Sequence, residues 1–198
     1  MRRLIDIVFA IFWLIITAPV FVLIAILIRV DSPGGLFYSP QMVGHHGKRF
    51  ALFRFRTMSP EPHQSGNEQG LTRTGSRLRN YSLDHLPQLI NVLKGDLTII
   101  GPRPMELNAV NFQEPVWQQY FQVKPGLFNY AVVKLGKSWT PSRSTNPNLN
   151  QELELEFQQN RSGRADLQLF AQSVRKFLLS RGNIKARGEP DSNEETQR

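Results

Sequence analysis

The residues best suited to chemistry lie in one short run, Ser82-Leu83-Asp84-His85-Leu86-Pro87-Gln88-Leu89, where a carboxylate and an imidazole are neighbours at a predicted helix start. Exposed amide N–H groups and the helix dipole at such a place stabilise anions, so a phosphate could dock while the carboxylate stays ionised. The same pattern also serves as a plain N-cap. A second run, Gly101-Pro102-Arg103-Pro104, has two readings as well. Its prolines stiffen a loop, and the arginine between them is either a fixed phosphate ligand or a structural ion-pair partner. The four histidines, His45, His46, His63 and His85, lack the helical spacing of metal ligands, and no GxSxG, Walker, HExxH or paired-glycine dinucleotide motif is present. With no cysteine, thiolate nucleophiles, thiolate metal sites and disulfides are excluded.

The elements that must hold these residues follow from pattern. Apolar Leu83, Leu86, Leu89, Ile90 and Leu93 predict a helix from Ser82 to Leu93, closed by Lys94-Gly95, with Ser82 or Asp84 as N-cap and Pro87 in its first turn or kinking it. Leu97-Thr98-Ile99-Ile100 reads as a short buried strand that delivers the Gly101-Pro102-Arg103-Pro104 loop, and residues 50–56 (FALFRFR) as a second strand. Residues 31–35 and 124–126 read as turns, and 59–70 and 137–150 as loops. From Asp166 to Leu179, Leu167, Phe170, Val174, Phe177 and Leu178 form one helical face, suited to the core or to a membrane surface. The polar tail after Gly182 is expected to be disordered.

Ahead of all this, 22 residues from Ile7 to Ile28 carry no charge. A straight helix of that length reaches roughly 33 Å, a bilayer core. Pro19 falls near its middle, where it removes a backbone bond and clashes with the preceding turn, so a break is expected at Ala18-Pro19. Cations flank both sides, Arg2 and Arg3 before and Arg29, Lys48 and Arg49 after, so neither end has the cation depletion of an exported side. A re-entrant hairpin with both ends cytoplasmic fits better than a kinked span, and the run is too long for a cleaved signal peptide. The chain is basic, 24 Lys plus Arg against 16 Asp plus Glu, and 18 of those cations lie in 31–182 against 11 acids. Such a surface suits anionic lipid head groups, a phosphorylated substrate or nucleic acid. Neither stacking platforms nor a recognition helix supports nucleic acid.

Taken in order, the proline-broken apolar segment, DSPGG, HHGKRFALFRFRTM, LTRTGSRLRNYSLDHLPQLINVLKGDLTIIGPRP and VKPGL resemble the bacterial sugar transferases, the monotopic phosphoglycosyl transferases, from about Arg2 to Leu127. The resemblance implies transfer of a sugar 1-phosphate from a nucleotide diphospho-sugar, usually a UDP-sugar, to polyprenyl phosphate, starting exopolysaccharide or another surface glycan at the bacterial inner membrane. It implies Asp84 as nucleophile and Mg²⁺ ligand, Arg56, Arg79 and Arg103 as phosphate-binding cations, and Ala18-Pro19 as the membrane-helix break. The family's Asp-Glu dyad reads Asp84-His85 here, its arginine before GKxF is Met42, and its Thr-Gly after PG is Phe128-Asn129. Imidazole replaces poorly a hard oxygen ligand, so His85 opens a second reading, a catalytically degenerate binding or scaffold partner. The expected fold is α+β: a re-entrant helix-break-helix anchor (1–30), a small mostly helical cytoplasmic domain with a few short strands (31–182), and the tail (183–198). A homo-oligomer is compatible with these features.

Overall fold

A computed structural model describes residues 2–60, 70–135 and 147–180. The expected tail, most of the 59–70 loop and residues 137–146 of the second loop lie outside them. The fold is α+β. A single helix α1 (Arg2–Asp31) contains Pro19, and the break expected at Ala18-Pro19 does not divide it. The proline deletes one backbone donor, a local cost of about 3 kcal/mol. Against that cost, the helix is fastened along its length.

One stripe of α1 faces inward: Asp6, Ala10, Ile24 and Ile28 are buried, with Phe9, Leu14 and Phe21 packed beside them. The fastening at each end is polar. Arg3 donates to the carbonyls of Val92 and Leu93 at the C-terminal end of α3 (Gln88–Lys94), where a cation meets the negative end of the helix. At the other end, Asp31 accepts from Thr74 N at 2.7 Å in the first turn of α2 (Arg73–Asn80), the positive end. The opposite face, including Leu4, Ile5, Val8, Ile11, Phe12, Ile15, Ile16, Val22 and Leu23, is exposed. By length and composition α1 could cross a membrane.

Among the described residues, seven short strands make three small sheets. β1 (Phe37–Tyr38) pairs antiparallel with β4 (Arg54–Phe55), β2 (Gln41–Val43) with both β3 (Arg49–Ala51) and β6 (Met105–Glu106), and β5 (Thr98–Ile100) runs parallel to β7 (Gly126–Phe128). The strand predicted over 50–56 is split at Leu52-Phe53 because a fully buried side chain intrudes. Asn91 of α3 donates to Ala51 O at 2.7 Å and accepts from Phe53 N at 2.9 Å, taking over two ladder bonds. Its amide also reaches Asp96 at 3.1 Å, so its polar atoms are satisfied. Gly101 and Gly126 sit where a Cβ would strike the facing backbone, which lets β5 and β7 close at the base of the 101–104 loop.

The C-terminal part is more helical than its composition announces. α4 (Pro115–Tyr120), α5 (Tyr130–Leu135) and α6 (Pro147–Gln159) precede α7 (Gly163–Ser180), and α6 begins inside the predicted 137–150 loop. The α7 helix predicted at 166–179 is present and turns Phe170 onto Phe9 of α1 and Phe128 of β7. Its position answers the sequence-level choice in part: Leu169 and Ser173 are buried, while Leu167 and Val174 are exposed.

Candidate active site

Ser82 to Leu93 is not one helix. Pro87 has no N–H to give a preceding turn, and α3 starts only after it, at Gln88. The residues before it wind instead into a tight 3₁₀ turn, Leu83–His85, entered through Ser82 at φ 55°, a left-handed conformation that a serine adopts at some cost. Neither Ser82 nor Asp84 caps α3 through its side chain. The plain N-cap reading of Asp84 is thereby removed. The turn packs against β4 and α2, which brings basic side chains over it.

Asp84 is 7% exposed, and its Oδ1 has no hydrogen-bond partner. Burial pushes its carboxyl up to about 6, while the Arg54 and Arg79 guanidiniums pull it back down. Native proteins seldom leave a buried carboxylate oxygen unanswered, since each such group costs about 1–3 kcal/mol. His85 is neutral. Burial, and then Arg54, Arg103 and Arg79, push its imidazole down to about 3. Gln88 Nε2 donates to its Nδ1 at 2.8 Å, which places the ring proton on Nε2, facing Asp84 Oδ2 at 3.6 Å. The two are therefore not an ion pair, and neither ring nitrogen offers a lone pair to a metal or a cation to a phosphate.

Of the cations implied by resemblance, Arg79 and Arg103 act on the Asp84-His85 pair. Arg79 is steadied by donation from Nε to Thr57 Oγ1 at 2.9 Å, and the Arg103 backbone by Tyr120, whose hydroxyl donates to Arg103 O at 2.9 Å. Arg56 points elsewhere. It donates to Pro33 O at 2.6 Å and to Ser32 O and Oγ at 2.8 and 2.9 Å, tying down the turn after α1. In its place stands Arg54, which sequence reasoning missed. It is the first-ranked charge on both Asp84 and His85, and its buried Nε also lacks a partner. The signal was present: an arginine between Phe53 and Phe55 in a strand must be drawn inward, and a buried guanidinium needs an anion.

A divalent ion has one unengaged hard-oxygen ligand here, Asp84 Oδ1. Asp96 is engaged by Asn91 and Lys94, and Asp166 by Arg161 and Arg2. Among the described residues no group of three His, Asp or Glu side chains could hold a metal. The donor set fits Mg²⁺ of the kind bound through a single carboxylate, with substrate phosphates and water completing the shell.

A small α+β domain with an apolar helix docked along it, and a buried carboxylate among arginines, has the chemistry suited to phosphate groups. The particular family follows from comparison: the chain matches the bacterial sugar transferases over residues 1–180 and belongs to that family of sugar-phosphate transferases. It is 35% identical over 188 residues to the uncharacterized sugar transferase EpsL of Bacillus subtilis (strain 168), covering 92% of this chain and 89% of that one. It is 31% identical over 147 residues to the exopolysaccharide production protein ExoY of Sinorhizobium fredii (strain NBRC 101917 / NGR234), covering 64% and 65%. A UDP-glucose:undecaprenyl-phosphate glucose-1-phosphate transferase of Xanthomonas campestris pv. campestris is 35% identical over 137 residues, 64% of this chain and 28% of its own length.

Proposed function

We propose that this chain transfers a sugar 1-phosphate from a UDP-sugar to polyprenyl phosphate through an aspartyl intermediate on Asp84, initiating exopolysaccharide or a related surface glycan. The observation that carries the reading is the unpartnered Asp84 Oδ1, buried among Arg54, Arg79 and Arg103 in a member of this family. An Asp84 carboxylate oxygen forms a bond to the sugar-bearing phosphorus, and the bond from that phosphorus to the UMP oxygen breaks, UMP leaving with the electron pair. A phosphate oxygen of the lipid then attacks the same phosphorus and the Asp84 carboxylate departs. Phosphoryl transfer needs alignment and charge neutralisation more than proton transfer, which suits arginines and a neutral histidine. Arg54, Arg79 and Arg103 neutralise the diphosphate. The Nε2–H of His85 faces the carboxylate, 3.6 Å from Asp84 Oδ2, without adding charge. Mg²⁺ held by Asp84 would supply further neutralisation of the phosphates.

The same reading places the domain on the cytoplasmic side of the inner membrane, with α1 attached to the membrane from that one side. Both ends of α1 are fastened to the one domain, through Arg3 and through Asp31, which supports attachment from one side. Labelling near Arg2 and near Ser32 should then give equal accessibility. Opposite accessibility would sink the one-sided anchor.

Membranes carrying the chain should convert a UDP-sugar and polyprenyl phosphate to lipid-linked product with UMP release. A broad UDP-sugar panel yielding no UMP would overturn the enzymatic reading. One observation favours a second reading, a binding partner that has lost catalysis: His85, whose Nδ1 is taken by Gln88, stands where the family dyad has a second carboxylate beside Asp84. His85→Glu separates the two. Activity gained from nothing supports the degenerate site, and activity lost supports an adapted histidine.

A further inference from the structure

β5 runs straight into Gly101-Pro102-Arg103-Pro104, so whatever fixes Ile100 fixes the base of the Arg103 loop. Arg161, just beyond α6, does this from the far end of the chain. Its Nη2 donates to Ile100 O at 2.7 Å, and its Nε donates to Asp166 of α7 at 3.0 Å to Oδ1 and 3.4 Å to Oδ2. The two side chains are only 13% and 16% exposed, and Asp166 also lies 3.5 Å from Arg2 Nη2 at the start of α1. The remaining clamps on the loop come from nearer elements: Gly126 N to Pro102 O at 2.9 Å, Gly101 N to Phe128 O at 3.1 Å, and Tyr120 to Arg103 O. Gln158, near the end of α6, donates to Tyr120 O at 3.4 Å.

Filling this space would ask only for an apolar side chain, since a guanidinium is costly to bury. What an arginine adds is a rigid fork whose donors point in set directions, here one to Asp166 and one to a loop carbonyl. Resting on the transferase reading above, we propose that Arg161, oriented by Asp166, is a positioning residue for Arg103, so that the C-terminal helix pair sets the affinity of the site for the diphosphate of the donor. This also accounts for Asp166, whose carboxylate serves Arg161 rather than the Asp84 cluster.

The test uses the full chain in detergent, with KM and kcat for UDP-sugar and for polyprenyl phosphate, and UDP affinity by calorimetry. Arg161→Gln should raise the donor KM and weaken UDP binding on the order of tenfold, the scale of a sub-ångström displacement of a binding group, with the lipid KM little moved. Asp166→Asn should do the same to a lesser degree. In an Arg103→Ala background Arg161→Gln should add nothing, because its effect travels through Arg103. Val92→Ala, which opens a cavity in the core cluster that α3 shares with Ala10 of α1, controls for lost stability and should leave donor KM alone. Donor KM and UDP affinity unchanged in Arg161→Gln, or a penalty that multiplies with Arg103→Ala, would overturn the proposal. A wild type that binds UDP but releases no UMP loses the transferase reading, and Arg161 is then judged on UDP affinity.

Discussion

Two aspartates, Asp6 and Asp84, are buried to the same degree, each 7% exposed, yet they live in opposite environments. Asp6 on α1 accepts from Thr98 Oγ1 at 3.0 and 2.9 Å and from Ile99 N at 3.0 Å. Every feature of its surroundings answers its charge, so it joins α1 to β5. Asp84 sits under guanidiniums that moderate its charge without bonding its Oδ1, and burial keeps its carboxyl up near 6. Depth of burial therefore does not separate a structural carboxylate from one left open to a substrate. Satisfaction and charge together do: Asp6 has its hydrogen bonds complete, and Glu154, whose buried Oε2 is also unpartnered, is kept mostly protonated with its carboxyl up at about 8.

The comparison is broken most directly at Asp84. Asp84→Asn keeps the shape and removes the proposed nucleophile, so UMP release should fall on the order of 10³-fold or more, with the chain still folded. Residual turnover within tenfold of wild type would mean that Asp84 is not the group attacked onto phosphorus.

The unanswered charge of Asp84 also shows in pH. Folding raises the Asp84 carboxyl from 3.8 to about 6, so the native state holds this proton more tightly than the unfolded chain. Its favourable contribution is complete below pH 3.8 and is lost as pH rises through about 6. Above that, ionised Asp84 costs about 3 kcal/mol. Thermal unfolding of Asp84→Asn should accordingly match wild type at pH near 3.8 and exceed it above pH 6, with the gap opening in between. A variant less stable than wild type at pH 8 would show that Asp84 is satisfied after all. Activity should rise through the same window, as the nucleophile ionises.

At Asp6 the satisfied hydrogen bonds themselves are the target. Asp6→Ala strands Ile99 N and Thr98 Oγ1 in a dry interface and should cost about 1–3 kcal/mol, read as a lower unfolding temperature at neutral pH. A variant that unfolds like wild type would make the α1–β5 seam incidental.

Much of this arrangement was legible in local pattern. Leu97 to Ile100 is apolar and β-branched enough to demand burial, the α7 stripe repeats at helical spacing, and Asp84-His85 stands out as the paired chemistry. What escaped reading depends on partners distant in sequence. Asn91 splits a strand 40 positions away by taking its ladder bonds. α6 carries Glu154 at 1% exposure, a poor omen for a helix in any local rule. Its Oε1 accepts from Ala131 N at 2.8 Å, and burial pushes the carboxyl up to about 8, which keeps it mostly protonated at neutral pH. Pro19 looks like a break until the two ends of α1 are seen fastened to α3 and α2. Arg56 and Arg54 are a case apart, since strand alternation puts both on one face and only the end of β4 after Phe55 sends them to different places.

That pair gives the smallest effect and the finest test. Arg56→Gln loses its bonds to Ser32 and Pro33, partly exposed ones, and should lower stability by about 1 kcal/mol while donor KM shifts little. Arg54→Gln should do the reverse. Arg54 is costly to bury, so its removal costs little in folding, but it takes away the leading cation on Asp84 and should cut kcat/KM for the donor by about 10²-fold. If Arg56→Gln instead raises donor KM with its unfolding temperature unmoved, Arg56 must leave Ser32 and Pro33 to meet the phosphates, and the turn after α1 would then belong to the site rather than to its frame.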